Sequence, residues 1–431
     1  MNKKLITFTA LFSLSFCLFA SPKIERWKSA NGATVVYSQV KELPILDIRI
    51  IFAAGASRDN NLPGIASITN SMLSEGAAGK SANQLSEIFD SQGINFSSGS
   101  ARDMGWLDIR TVTDQQHLNT AITQLNQILT QPDFPEDAIQ RLTKQMQIGL
   151  RQKKQSPGAI AREQFYKAVY GSHPYGIPPQ GTEESIKQFS REKIIAFYKK
   201  YYVAANATVA IVGDVDRKEA QQIIDKIFNN LPQGKHAETL PVAADLKKGE
   251  KIAIEFDSEQ THIFIGQPGI RKTDKEYFPL VVGNHILGGN ALLSILGEEV
   301  RKKRGLAYSV YSHFSPMLDR GPFIIGCQTQ NSRKDESLKT INKYLREFIK
   351  NGPTEKQLTQ AKMNLSGSFP LGFASNSSIA GWLGNIGFYN MPLDYLDSYQ
   401  ENINKVTKAD IIAAFQKALN PEKMITVTVG R

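Results

Sequence analysis

The sequence predicts an α+β protein made of two similar domains, on three observations: an internal repeat, matching openings of the two halves, and a compositional break between them. Residues 194–200, Ile-Ile-Ala-Phe-Tyr-Lys-Lys, are matched by residues 411–417, Ile-Ile-Ala-Ala-Phe-Gln-Lys, displaced by 217 positions. The register runs on without a gap, from Ala-Thr-Val-Ala-Ile-Val-Gly at 207–213 to Met-Ile-Thr-Val-Thr-Val-Gly at 424–430. Each copy reads as an amphipathic helix, a short turn and a β-branched strand that stops at glycine.

The remaining elements follow in order. Residues 45–52 and 261–266 open the halves as strands. Each is followed by a turn and a helix, over Ile65 to Leu73 in the first half and from Glu276 to Leu287 in the second. Longer helical periods occupy 118–129 and 136–153, then 336–350 and 355–366. Between the halves, at 229–250, Pro, Gly and clustered charge replace periodicity, as in linkers. The expected division is therefore 21–228 and 251–431. The stretch 368–378 shows no period and reads as a loop.

The chain has 431 residues, 41% hydrophobic and 21% charged, enough for sizeable cores. Lys3 and Lys4, an apolar run over 5–19 and then Ala20-Ser21 read as a secretory signal cleaved after Ala20. The expected mature protein, from residue 21, is exported, to a bacterial periplasm. Phe16 stands where a small residue should precede a lipid-carrying Cys17, which argues against a lipid anchor. Loss of Lys3 and Lys4 takes the formal charge from +10 to +8. No basic stripe interleaved with aromatics accompanies that charge, so nucleic acid is not an expected partner. Beyond Cys17 the only cysteine is Cys327, in the apolar run 323–327, which predicts a buried thiol and no internal disulfide.

The chemistry concentrates in two stretches. Residues 64–77 read Gly-Ile-Ala-Ser-Ile-Thr-Asn-Ser-Met-Leu-Ser-Glu-Gly-Ala. This resembles the inverted zinc helix of the insulinase/pitrilysin and mitochondrial-processing-peptidase family, where His-x-x-Glu-His lies between Gly-(Ile/Leu)-Ala and Met-Leu-x-x-Gly. Residues 301–308, Arg-Lys-Lys-Arg-Gly-Leu-Ala-Tyr, resemble that family's Arg-x6-Tyr motif, which holds the substrate backbone near the metal. The resemblance covers nearly the whole mature chain. It implies that each half is a mostly antiparallel sheet with helices on one face, the two together forming half a clamshell.

The three chemical positions of the zinc helix are here Ser67, Asn70 and Ser71. Ser67 and Ser71, four apart, share a helical face. A neutral hydroxyl is nevertheless a poor zinc ligand beside imidazole, and the Asn70 amide has no useful basicity for activating water. The family's third ligand, a Glu further on, corresponds to the neighbourhood of Gln147. No Asp or Glu occurs from Ala138 to Arg162, so a small shift in register does not restore it. The histidines, His117, His173, His236, His262, His285 and His313, never lie three or four residues apart. His173-Pro-Tyr-Gly resembles a structural motif of the family.

Arg301 closes a helical run, Gly305 permits a turn, and Leu306 begins a strand, so a guanidinium and the phenol of Tyr308 can converge. Taken alone, the pair is also compatible with a surface Arg and a packed Tyr. In the light of the resemblance, Arg301 and Tyr308 are substrate-binding. Residues 93–98 sit where the family has an edge strand that aligns substrate by β-addition; here they bind peptide or only cap the sheet. The resemblance implies a non-zinc subunit of a heteromeric peptidase, with zinc and base supplied by a homologous partner and none held here. The alternative is an inactive peptide-binding or scaffold protein of the same fold.

Overall fold

The computed structural model describes residues 22–431. The expected leader, with Lys3, Lys4 and Cys17, lies outside them. In the first half, β1 (Glu25–Lys28), β2 (Thr34–Gln39) and β3 (Ile45–Phe52) lead into α1 (Ile65–Met72). A small hairpin of β4 (Gly76–Ala77) and β5 (Lys80–Ser81) precedes α2 (Ala82–Ser91), β6 (Asn95–Ser100) and β7 (Gly105–Val112). Then come α3 (Gln115–Thr130), α4 (Glu136–Lys153), α5 (Pro157–Tyr170), the short α6 (Glu183–Ile186), α7 (Arg191–Tyr201), β8 (Ala207–Gly213) and α8 (Arg217–Ile227).

The second half comprises β9 (Glu250–Glu255), β10 (Gln260–Pro268), α9 (Tyr277–Asn284), β11 (Ala307–Phe314) and β12 (Pro322–Gln330). It closes with α10 (Lys334–Asn351), α11 (Glu355–Ser368), α12 (Asn376–Phe388), α13 (Tyr395–Lys405), α14 (Lys408–Ala418) and β13 (Ile425–Gly430). The stretch expected to be a loop at 368–378 in fact ends one helix and begins another. Ser375 caps the new helix, its Oγ accepting the Ser378 N–H at 3.2 Å.

The two sheets repeat one topology. The first has the order β1-β2-β8-β3-β7-β6 and the second β11-β12-β10-β13-β9. Read from its other edge, the first runs β6-β7-β3-β8-β2, which the second reproduces strand for strand. β2 pairs parallel with β8, and β9 parallel with β13; the other neighbours are antiparallel. Edge strands β6 and β11 occupy corresponding places. In the first core, Ile48, Ile50, Leu107 and Ile211 of the sheet pack with Ile68, Leu125 and Ile224 of the helices.

The opposite face of each sheet is covered by a helix from the other half. α12 of the second half lies on β8, β3 and β2, while α5 of the first lies on β10 and β13. This explains why β8 is buried along its whole length and reads as a continuous apolar run rather than an alternating one. A Cβ at Gly387 of α12 would come within 2.6 Å of Thr208 Cγ2 and 2.7 Å of Val36 Cγ2, so glycine is what lets the helix approach the sheet. On the other side, Ala161, Phe165 and Val169 of α5 pack with Phe264, Ile324, Val427 and Val429.

Between these layers a buried polar network joins the halves. The Tyr175 hydroxyl donates to Asp103 (2.8 Å) and accepts the Asp319 N–H (3.0 Å), and Asp103 also accepts the Leu318 N–H (2.8 Å). Arg271 donates Nε and Nη2 to Asp319 at 2.9 and 2.7 Å. His173 accepts the Tyr175 N–H at Nδ1 (3.1 Å) and reaches the Pro241 carbonyl with Nε2 (2.8 Å), which fits the neutral tautomer protonated on Nε2. His173-Pro-Tyr-Gly is thus a structural element of the seam. The segment between the halves has no helix or strand from 231 to 249. It is a strap rather than a free tether: the Pro232 and Gln233 carbonyls accept the Ala204 and Ala205 N–H groups, and the Ala243 N–H binds Asp319.

Candidate functional site

α1 is fixed from its N-terminal end. Gly64 takes a left-handed conformation (φ +89°), and Asp59, 3% exposed, accepts the Gly64 and Ala66 N–H groups at 2.7 and 2.9 Å. Burial pushes the Asp59 carboxyl up to about 7 against the pull of those two donors. The sequence reading missed this anchor, although an Asp five residues before the glycine that opens the helix was its signal. Ile65, Ile68 and Met72 then turn inward, and Ser67 and Ser71 share the half-buried side of the helix.

Asn70 turns away from the side of α1 that carries Ser67 and Ser71. Ser67 lines a cavity; Asn70 is 1% exposed and faces the core, its Nδ2 donating to the hydroxyl of buried Tyr202 at 3.1 Å. The Ser71 carbonyl accepts a bond from Ser74 Oγ. Gln147 stands half-buried on α4, which packs beside α1 but contributes Met146, Leu150 and Lys153 to the cavity instead. The carboxylate just past α1, Glu75, is paired with Arg141 of α4. Among the described residues no cluster of three or more His, Cys, Asp or Glu side chains is arranged to hold a metal ion.

Arg301 and Tyr308 do meet. Arg301 sits in the wide helical turn Gly297–Lys302, and Gly305 (φ +58°) reverses the chain, its N–H bonding the Arg301 carbonyl at 3.0 Å. In β11, Ala307 pairs with Thr329 and Ser309 with Gln328, so Tyr308 is the extra residue of a β-bulge. A bulge re-aims its side chain, and Tyr308 is 79% exposed. The Arg301 Cζ lies 5.3 Å from the Tyr308 ring centroid.

The neighbouring cations are occupied. Lys303 and Arg304 both bind Glu299 at 2.6 Å, and Lys302 pairs with Glu298 at 3.3 Å. Against the cost of its burial, bonds from Arg304, Lys303 and Tyr344 hold the Glu299 carboxyl down at about 2. Among the described residues Arg301 has no carboxylate partner and no side-chain hydrogen bond, so its donors are available to a ligand.

The cavity beside α1 has a volume of about 820 Å³. Ser67, Arg162 and Tyr166 line it from the first half, His262, Ser309 and Tyr311 from the second. It therefore connects the degenerate helix with the strand that carries Tyr308. Cys327 is 5% exposed; it packs in the second core and also lines this cavity, and burial pushes its thiol up to about 12, away from the range of a reactive thiolate.

A paired α+β half-shell, a helix with Ser67, Asn70 and Ser71 at the family's metal positions, and an Arg–Tyr pair brought together define a peptidase-like protein with no metal-binding cluster among its described residues. The chain belongs to the insulinase family, peptidase family M16: that family's model matches residues 34–183, and the model of the peptidase M16 inactive domain matches 188–365. A crystal structure of a peptidase M16 inactive domain from Pseudomonas fluorescens is 38% identical, covers 94% of this chain and 98% of its own, and superposes with a TM-score of 0.92. The Helicobacter pylori protein "Non-peptidase homolog YmxG" is 28% identical over 416 residues, 95% of this chain and 94% of that protein. The Bacillus subtilis "Uncharacterized zinc protease YmxG" is 25% identical over 360 residues, 82% of this chain and 86% of that one.

Proposed function

We propose that this chain is the non-zinc subunit of a periplasmic, heteromeric zinc peptidase. A homologous partner supplies the zinc, its ligands and the general base. This chain supplies Arg301 and Tyr308 and closes the chamber around a peptide. The observation that carries the reading is the exposed, uncommitted Arg301–Tyr308 pair in a chain whose α1 bears Ser67, Asn70 and Ser71. A guanidinium suits peptide carbonyls, and a directional phenol O–H suits the oxyanion formed when water attacks one. The open edge of β6 offers main-chain groups to an extended peptide by β-addition.

The test is reconstitution with a family member that keeps His-x-x-Glu-His. Co-purification, and a chelator-sensitive cleavage that neither chain shows alone, is the expected result. Full activity of the partner without this chain would overturn the subunit reading and leave an inactive peptide-binding or scaffold protein.

A further inference from the structure

A second concavity, a groove of about 750 Å³ at the seam of the halves, shares no lining residue with the cavity beside α1. Arg26, Lys28, Arg58 and Arg271 line it together with Glu238 and Asp319. Both carboxylates are already engaged: Asp319 with Arg271 at 2.7 Å, Glu238 with Lys200 at 3.0 Å. Asp103, nearby, accepts the Tyr175 hydroxyl and the Leu318 N–H and also attracts Arg58 through its charge, without a hydrogen bond to it.

Three cations of the groove have only neutral partners. Arg26 donates to Asn390 Oδ1 and to the Ile386 and Met391 carbonyls. Lys28 donates to Thr34 Oγ1 at 2.7 Å. Arg58, only 6% exposed, spends Nη1 on the Glu238 carbonyl at 2.5 Å and keeps a buried Nε without any partner. In Arg110–Asp47 and Arg271–Asp319 the Nε–Nη2 edge is filled by a carboxylate, and in Arg320 by the Gly269 and Pro268 carbonyls, whereas Nε of Arg58 meets neither. Burial lowers the pKa of both Arg26 and Arg58, at Arg58 against the opposing attraction of Asp103 and Glu238. At Arg58 the cost of desolvation outweighs those attractions, and a bound counter-charge would offset what remains.

We infer that this groove binds a small oxyanion, a carboxylate or phosphate group held by Arg58, Lys28 and Arg26. The site is separate from Arg301 and Tyr308, and its test needs no partner chain.

The mature chain is titrated with inorganic phosphate and, separately, with citrate, at constant ionic strength with chloride as the balancing salt. Calorimetry and the thermal midpoint are the readouts. Saturable binding below about 10 mM and a raised midpoint are expected. A response to phosphate alone assigns a phosphoryl ligand, and a response to citrate alone a carboxylate. Lys28→Gln is expected to weaken binding roughly tenfold, the order of one lost charged hydrogen bond, and Arg58→Met to abolish it. Where Arg58→Met does not fold, Lys28→Gln decides. Absence of saturable binding by either anion, or unchanged affinity in Lys28→Gln, would overturn the site.

Discussion

The Arg301 guanidinium carbon lies 5.3 Å from the centre of the Tyr308 ring, although seven positions and a chain reversal separate them. The bulge at Tyr308 presents the ring, and Glu299 withdraws Lys303 and Arg304 from competition. In a complex with a zinc-bearing partner, Arg301→Ala is expected to weaken peptide positioning with assembly intact. Tyr308→Phe, which keeps the ring, is expected to lower turnover by up to roughly 10²-fold, by analogy with the loss of one oxyanion donor. Steady-state kinetics at matched stoichiometry check both. A change confined to apparent affinity would assign the hydroxyl to ground-state binding.

The purified mature chain is expected to hold no stoichiometric zinc. Elemental analysis after dialysis against a weak chelator measures this, and one tightly retained zinc per chain is the contrary result. Three neutral side chains at Ser67, Asn70 and Ser71 lead to that expectation.

Asn70→Ala is expected to destabilise the fold by about 1–3 kcal/mol, because it strands the buried Tyr202 hydroxyl. Denaturant midpoints of Asn70→Ala, Tyr202→Phe and the double variant test it. The double variant should cost less than the sum, since neither group is then left without its partner.

Phe165→Ala on α5 is expected to cost about 3–5 kcal/mol, and Leu383→Ala on α12 about 2–5, since both side chains are fully buried. Each variant should still unfold in a single calorimetric transition. Two resolved transitions would show that the halves are energetically separate.

Glu299 carries a pH-dependent part of the stability. Its folded carboxyl titrates near 2, below the ordinary value, so its contribution is complete above the unfolded carboxylate range and is lost as pH falls through about 2. The stability difference between wild type and Glu299→Gln should therefore be largest at neutral pH and shrink in acid, followed by denaturation at several pH values.

Much of this was legible in the sequence where function and fold depend on nearby residues. Arg301 and Tyr308 lie within eight residues of each other, and Gly305 marks the turn that joins them. The repeat at 194–213 and 411–430 became α7–β8 and α14–β13 in corresponding places. What escaped depends on distant partners. α12 carries Gly384 and Gly387 beside the buried stripe Ile379, Leu383 and Ile386, because its task is close approach to the other half's sheet. The core-facing side chain of Asn70 is decided by Tyr202, 132 residues away. Arg58 and Lys28 look unremarkable in sequence, since only folding reveals that their hydrogen-bond partners are neutral.

The reciprocal placement of α5 and α12 also settles where this molecule can open. Swinging one half away from the other would strip a helix from both sheets at once and expose Phe165, Leu383 and their neighbours to water. The chain is consequently expected to move as one rigid jaw. In the two-chain peptidase proposed above, admission and release of a substrate would fall to the boundary between chains, so that gating would depend on how firmly two subunits hold each other and not on flexing within this one.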